Sequence, residues 1–261
     1  MRNPCVAHRG WSGRAPENTM SAFRMAWEAG IPWIELDVQL SRDAVPVVIH
    51  DYQLRRTTNG RGDVRHWSAA ELASLDAGSW FSPAFKGESI PTLDEVLREG
   101  SGRTQFNIEL KTDGVRYPYI EEKALQKVME HGLQEDVVFT SFHMGTLHRL
   151  RKMSASVRIG LILDGWRGTL LQELRELQAD FLSIGYGRLN QERVQLLKDA
   201  GIQTMAWTAN DKRALRRIAD LDPGLLICTD YPERWGEIMG MDFGVSDADP
   251  RGGRRPSRWF R

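Results

Sequence analysis

From residue 105 onward, short apolar runs alternate with longer stretches whose apolar residues recur at helical spacing. The runs at 105–110, 137–141, 157–163, 181–184, 202–207 and 225–229 read as strands. The stretches at about 118–131, 143–153, 169–178, 191–199, 212–220 and 233–239 read as helices. The first hundred residues are less regular. A buried strand at 4–8 stops at Gly10, and a helix from about 19 to 28 follows, capped by Thr19 or Asn18. A second strand spans 31–38. Residues 45–49 are apolar and β-branched, hence extended, and only Ser41-Arg42-Asp43-Ala44 separates them from the second strand. That link is too short for a parallel crossover, so the two runs should form a hairpin. Residues 52–104 carry RTTNGRG and two short helices, at 68–75 and from 92 to about 98. They read as a lobe inserted over one face. Eight strands, each followed by a helix or this lobe, predict a (β/α)8 TIM barrel within about 250 residues. A doubly wound sheet is the competitor, but no GxGxxG follows a strand. One barrel domain over 1–243 is expected, then a loosely packed tail at 244–261 rich in Gly, Pro, Asp and Arg.

A barrel of this kind carries its chemistry at the C-terminal ends of its strands. There the first strand offers His8 and Arg9, the second Glu35 and Asp37, and the next Glu109 and Lys111. The hairpin arm ends in His50-Asp51, the seventh barrel strand in Trp207-Thr208-Ala209-Asn210, and the eighth in Thr229-Asp230. Glu35 and Asp37 are two apart and share a face of an extended chain, as do Glu109 and Lys111. Three carboxylates at one dry mouth repel unless a cation joins them. Glu35, Asp37 and Glu109 therefore form a candidate platform for one divalent cation, Mg²⁺ or Ca²⁺. The absence of thiolates from that set argues against zinc. Arg9 and Lys111 suit the oxygens of a phosphoryl group. His8 and His50 supply an acid and a base near neutral pH. Trp207 is a candidate wall for the substrate's organic part. His66, His131, His143 and His148 read as surface or helix residues.

Composition narrows the setting. The chain has 261 residues, of which 41% are hydrophobic and 27% charged, enough for a sizeable soluble core. Lys plus Arg equals Asp plus Glu, so nothing in the charge balance points to nucleic acid or to an anionic membrane. The N-terminal residues lack the apolar core of a signal peptide and no run reaches membrane-spanning length, so a cytoplasmic protein is expected. Cys5 and Cys228 fall on the first and last strands, and free thiols are expected of them in a reducing compartment.

Several motifs occur in a fixed order: HRG at 8–10, PENT at 16–19, ELDV at 35–38, PVVIHD at 46–51, RTTNGRG at 56–62, LDAGSWF at 75–81, IPTLDEVL at 90–97, NIELK at 107–111, SF at 141–142, WT at 207–208 and TDYP at 229–232. In these the chain resembles the glycerophosphodiester phosphodiesterase family from His8 to about Pro232. The resemblance implies a TIM barrel of the phospholipase C-like phosphodiesterase type and hydrolysis of a small-molecule glycerophosphodiester to glycerol 3-phosphate and an alcohol. It makes His8 and His50 the acid–base pair, Glu35, Asp37 and Glu109 the metal ligands, and Arg9 and Lys111 phosphate contacts. It also implies that the glycerol hydroxyl attacks phosphorus first, giving a cyclic phosphate that water opens. Two alternatives stand beside this reading. One is a lysophospholipase D-like activity on monoacylated substrates, with Trp11, Trp80, Phe81 and Phe142 lining a greasier mouth. The other is a barrel that binds such compounds without hydrolysing them. The chain departs from the family at Ala44, where the hairpin turn usually has Gly, at Ala209, where Val is common, and in its Arg-rich tail.

Overall fold

The computed structural model describes residues 3–243, so the tail at 244–261 lies outside the described residues. Strands β1 (Cys5–His8), β2 (Trp33–Leu40), β4 (Gln105–Leu110), β5 (Val137–Ser141), β6 (Arg158–Leu163), β7 (Phe181–Gly185), β8 (Gln203–Trp207) and β9 (Leu226–Thr229) pair in parallel. Pairing of β1 with both β9 and β2 closes the ring. Helices α1 (Met20–Glu28), α4 (Ile120–Glu130), α5 (Met144–Met153), α6 (Leu170–Leu177), α7 (Gln191–Asp199), α8 (Lys212–Leu221) and α9 (Pro232–Met239) follow their strands and surround it. This is the TIM barrel that the alternation predicts. Thr19, not Asn18, caps α1, its hydroxyl accepting from the Ala22 N–H. Among the described residues no helix is long and apolar enough to cross a membrane.

Alternation along each strand divides the interior in two. Val6, Trp33, Val138, Phe181, Met205, Leu226 and Cys228 fill the barrel. Cys5, Ala7, Ile34, Leu36, Phe106 and Ile108 face outward and pack with the helices. Cys5 and Cys228 thus belong to opposite faces of the wall, and both are free thiols as expected. Above the apolar plug, Thr140 donates to Asn107 Oδ1 at 2.6 Å. Side chains one step nearer the rim are polar and charged.

The expected hairpin is present: β3 (Pro46–Val48) runs antiparallel to the end of β2, with Val38 opposite Val48. Its residues alternate as well. Val47 and Ile49 enter a separate core with Leu54, Val64, Leu72, Ala77 and Ile90, while Val48 joins the main one. The lobe therefore grips the arm from outside. Two capping boxes define its helices, Ser68 with Glu71 for α2 (Ala69–Ala73) and Thr92 with Glu95 for α3 (Leu93–Gly100). Gln39 fixes the end of the arm: its side-chain nitrogen lies 2.9 Å from the carbonyls of Ile49, His50 and Asp51.

Ala44 closes the turn of this hairpin at φ +58°, a left-handed conformation that a Cβ disfavours. Its N–H still reaches the Ser41 carbonyl at 3.0 Å. Ala44→Gly should therefore stabilise the fold, by about 1 kcal/mol. An upward shift of the urea midpoint at unchanged slope is the expected result; a downward shift would contradict it.

Candidate active site

The barrel register brings the C-terminal strand ends together. His8 lies opposite Glu35, and Asp37 opposite Glu109. One oxygen from each of Glu35, Asp37 and Glu109 lies within 4.8 Å of the others. Glu35 and Asp37 are buried and Glu109 is partly so. Such carboxylates are costly to hold out of water, and the surroundings compensate. Arg9 sits at φ +56°, which turns its N–H onto Glu35 Oε2 at 3.0 Å while its Nε lies 3.2 Å from Asp37 Oδ2. Asn18 donates to the same Asp37 oxygen at 2.8 Å. Lys111 Nζ donates to Glu109 Oε1 at 2.7 Å and lies 3.7 Å from Asp37 Oδ1. Asp37 Oδ1 is buried with no hydrogen-bond partner among the described residues.

The charges respond to this crowding. Burial, then the neighbouring Asp37, raises Glu35 well above the usual carboxylate range. Burial would raise Asp37 too, but His50, Arg9 and Lys111 outweigh it and hold the group ionised far below that range. Burial opposes the charge of Lys111; Glu109 and Asp37 restore it and push the ammonium up to about 12. The donor set is all oxygen, compact, buried and left with an orphaned lone pair. It fits a hard divalent cation.

His8 and His50 each have their own aspartate. His8 Nδ1 lies 2.6 Å from Asp230 Oδ1, and its Nε2 faces Glu35 Oε2 at 3.8 Å. His50 Nδ1 lies 2.7 Å from Asp51 Oδ1. A carboxylate on Nδ1 selects the tautomer with the proton there and leaves Nε2 to exchange protons. Asn210 donates to Asp230 Oδ2 at 2.6 Å, and Ser12 to Oδ1 at 3.1 Å. Burial and Arg9 would lower His8, but Asp230 prevails and raises it. Burial would raise Asp230, yet His8, Arg9 and Asn210 bring it down to about 2.

Trp207 stands on this rim beside Phe142, the rings edge to face at 6.1 Å. The Lys111 ammonium is 6.0 Å from the centre of the Phe142 ring. The Trp207 Nε1–H is buried without a partner among the described residues. Two of the other aromatic residues expected at the mouth are elsewhere. Trp11 is buried in the core, donating to Glu233 Oε2 at 2.7 Å, because its indole N–H found a tertiary acceptor. Phe81 is buried in the lobe against Phe85 and Trp80. Trp80 is half-exposed on that lobe. His143 caps α5 and His131 pairs with Asp94, in keeping with structural readings.

The sequence reading gave Asp230, Glu17 and Asp51 no role and offered Asn18 only as a helix cap. Asp230 ends the last strand, a placement that marks candidate site residues by itself. Asp51 directly follows His50, and Glu17 and Asn18 lie in the PENT motif. Only the folded chain reveals what they touch.

The sequence profile of the glycerophosphoryl diester phosphodiesterase family matches residues 8–234. A glycerophosphodiester phosphodiesterase of Caldanaerobacter subterraneus subsp. tengcongensis is 39% identical over 242 residues, covering 89% of this chain and 96% of that protein. One from Bacillus subtilis is 31% identical and covers 89% of this chain and 85% of its own length. Among solved structures, an Oleispira antarctica phosphodiesterase in complex with the product sn-glycerol 3-phosphate superposes with a TM-score of 0.82 at 31% identity, over 92% of this chain and 97% of that one. The Agrobacterium tumefaciens glycerophosphodiester phosphodiesterase gives 0.79 at 32% identity, over 90% and 99%. The chain belongs to the glycerophosphoryl diester phosphodiesterase family of phosphoric diester hydrolases.

Proposed function

We propose that this enzyme hydrolyses glycerophosphodiesters to sn-glycerol 3-phosphate and an alcohol, with one divalent cation and two histidines. One observation carries the reading: an all-oxygen carboxylate triad and two aspartate-backed histidines meet at a single rim. Glu35, Asp37 and Glu109 would hold the cation, Mg²⁺ or Ca²⁺, which when bound polarises a phosphoryl oxygen. Arg9 and Lys111 hold the remaining oxygens, and both stay charged at any working pH.

The two histidines divide the proton transfers. One, neutral, accepts the glycerol hydroxyl proton on Nε2 as that oxygen bonds to phosphorus. The other, protonated, gives its Nε2 proton to the leaving alcohol oxygen as the P–O bond breaks. The product is a cyclic phosphate. Water then opens it with the roles reversed: the second histidine takes a proton from water, and the first returns one to the glycerol oxygen. Asp230 and Asp51 hold each ring in the required tautomer throughout. Trp207 and Phe142 offer an apolar wall to the organic part. That wall also favours a second reading, lysophospholipase D-like cleavage of monoacylated substrates. We place the enzyme in the cytoplasm, where the thiols of Cys5 and Cys228 remain reduced.

His8→Ala and His50→Ala should each lower kcat by about 10²–10⁴-fold. Turnover equal to wild type in either variant would remove that histidine from the mechanism. Asp230→Asn should lower kcat by about 10²-fold with little change in melting temperature, because the amide no longer enforces the His8 tautomer. Undiminished turnover would contradict the orienting role. Glycerol 3-phosphate should be released faster from glycerophosphocholine than lysophosphatidic acid is from lysophosphatidylcholine; the reverse order would favour the second reading.

A further inference from the structure

Arg56 lies outside the residues assigned so far. It ends a short 3-10 turn (Leu54–Arg56) in the lobe, and its side chain is 41% exposed. Its guanidinium nonetheless engages two carboxylates from different segments. Nη1 donates to Glu17 Oε2 and Nη2 to Glu17 Oε1, both at 2.7 Å. Nε donates to Asp51 Oδ2 at 2.6 Å and Nη2 to Asp51 Oδ1 at 3.1 Å. The chain of contacts continues on either side. Glu17 Oε1 accepts from Arg9 Nη1 at 2.7 Å, and Asp51 Oδ1 lies 2.7 Å from His50 Nδ1.

We propose that Arg56 is a positioning residue: its fork locks Glu17 to Asp51, and through them fixes Arg9 and His50 relative to one another across the site. This rests on the roles given to Arg9 and His50 above. Alternating charge makes the relay self-consistent, Arg9, Glu17, Arg56 and Asp51 in turn, with His50 at the end. Without the guanidinium, two carboxylates would face each other with nothing between them and would draw apart. The backbone at His50 is already tied by Gln39, so Arg56 acts on side chains and not on the course of the chain. A lysine cannot replace it, because one ammonium does not reproduce a planar fork with four bonds. Partial exposure leaves room for a small cation to enter the gap that a truncation opens.

The test uses the full chain with metal, assayed on glycerophosphocholine. Arg56→Ala should lower kcat by about 10²-fold, since displaced reacting groups cost that much. It should also raise KM, at a melting temperature close to that of wild type. Millimolar guanidinium should restore part of kcat, and Arg56→Lys should not. Asp51→Asn should reproduce the loss in kcat, and Glu17→Gln the rise in KM. In a His50→Ala background, Arg56→Ala should change kcat by less than about twofold, because its route to the chemistry is already cut. Three results would overturn the proposal: Arg56→Ala with kcat and KM both like wild type; a loss that tracks a fall in melting temperature and ignores guanidinium; or an undiminished loss in the His50→Ala background. Wild-type turnover in His50→Ala alone would instead defeat the acid–base reading on which the proposal rests.

Discussion

Three carboxylates crowd one water-poor rim of the barrel, and the rest of the site is arranged to tolerate them. Two unit charges 4 Å apart repel by about 4 kcal/mol at an effective dielectric constant near 20. Burial adds to that cost. The protein meets it partly with its own groups: the Arg9 guanidinium and N–H, the Lys111 ammonium and the Asn18 amide all converge on Glu35, Asp37 and Glu109. The compensation stops short, because Glu35 is still pushed toward its neutral form and Asp37 Oδ1 has no hydrogen-bond partner among the described residues. A divalent cation held by these oxygens would complete the balance. The same arrangement brings two cationic side chains, Arg9 and Lys111, to the rim beside the triad.

The second histidine is not supplied by the regular β/α repeat. It comes from the hairpin arm β3, which folds back over the rim and is held from outside by the lobe. Val47 and Ile49 bury into the lobe's core, and the Gln39 amide gathers the last carbonyls of the arm. The insertion thus fixes an element that the barrel alone would leave as a free edge. Its Arg56 extends the same hold to side chains. The turn of the arm holds Ala44 in a left-handed conformation that glycine would suit better.

Much of the fold can be read directly from the chain. Strands buried on both faces appear as continuous apolar runs, so their positions follow within a residue or two, and closure follows from their number. The two-residue spacing of Glu35 and Asp37 places both on the inner face, and the barrel rule brings Glu109 to join them. Partnerships across long separations are not legible in this way. His8 and Asp230 are 222 positions apart, and only closure of β1 against β9 makes them a pair. Trp11 illustrates the opposite error. Beside the HRG motif it looks like a mouth residue, yet a buried acceptor on α9, Glu233, draws its indole into the core. Local pattern gives the face of a strand; it does not give the partner of a side chain.

The proposed reading turns on a bound cation, and removal of metal is its most direct test. Purified protein is stripped with EDTA, and release of glycerol 3-phosphate from glycerophosphocholine is followed before stripping, after it, and after Mg²⁺ or Ca²⁺ is restored. Loss of turnover on stripping, with recovery on adding one of these ions, is the expected result, and the restoring ion identifies the metal. Full turnover by protein shown by elemental analysis to be free of divalent metal would contradict a catalytic role for the carboxylate triad as a metal platform.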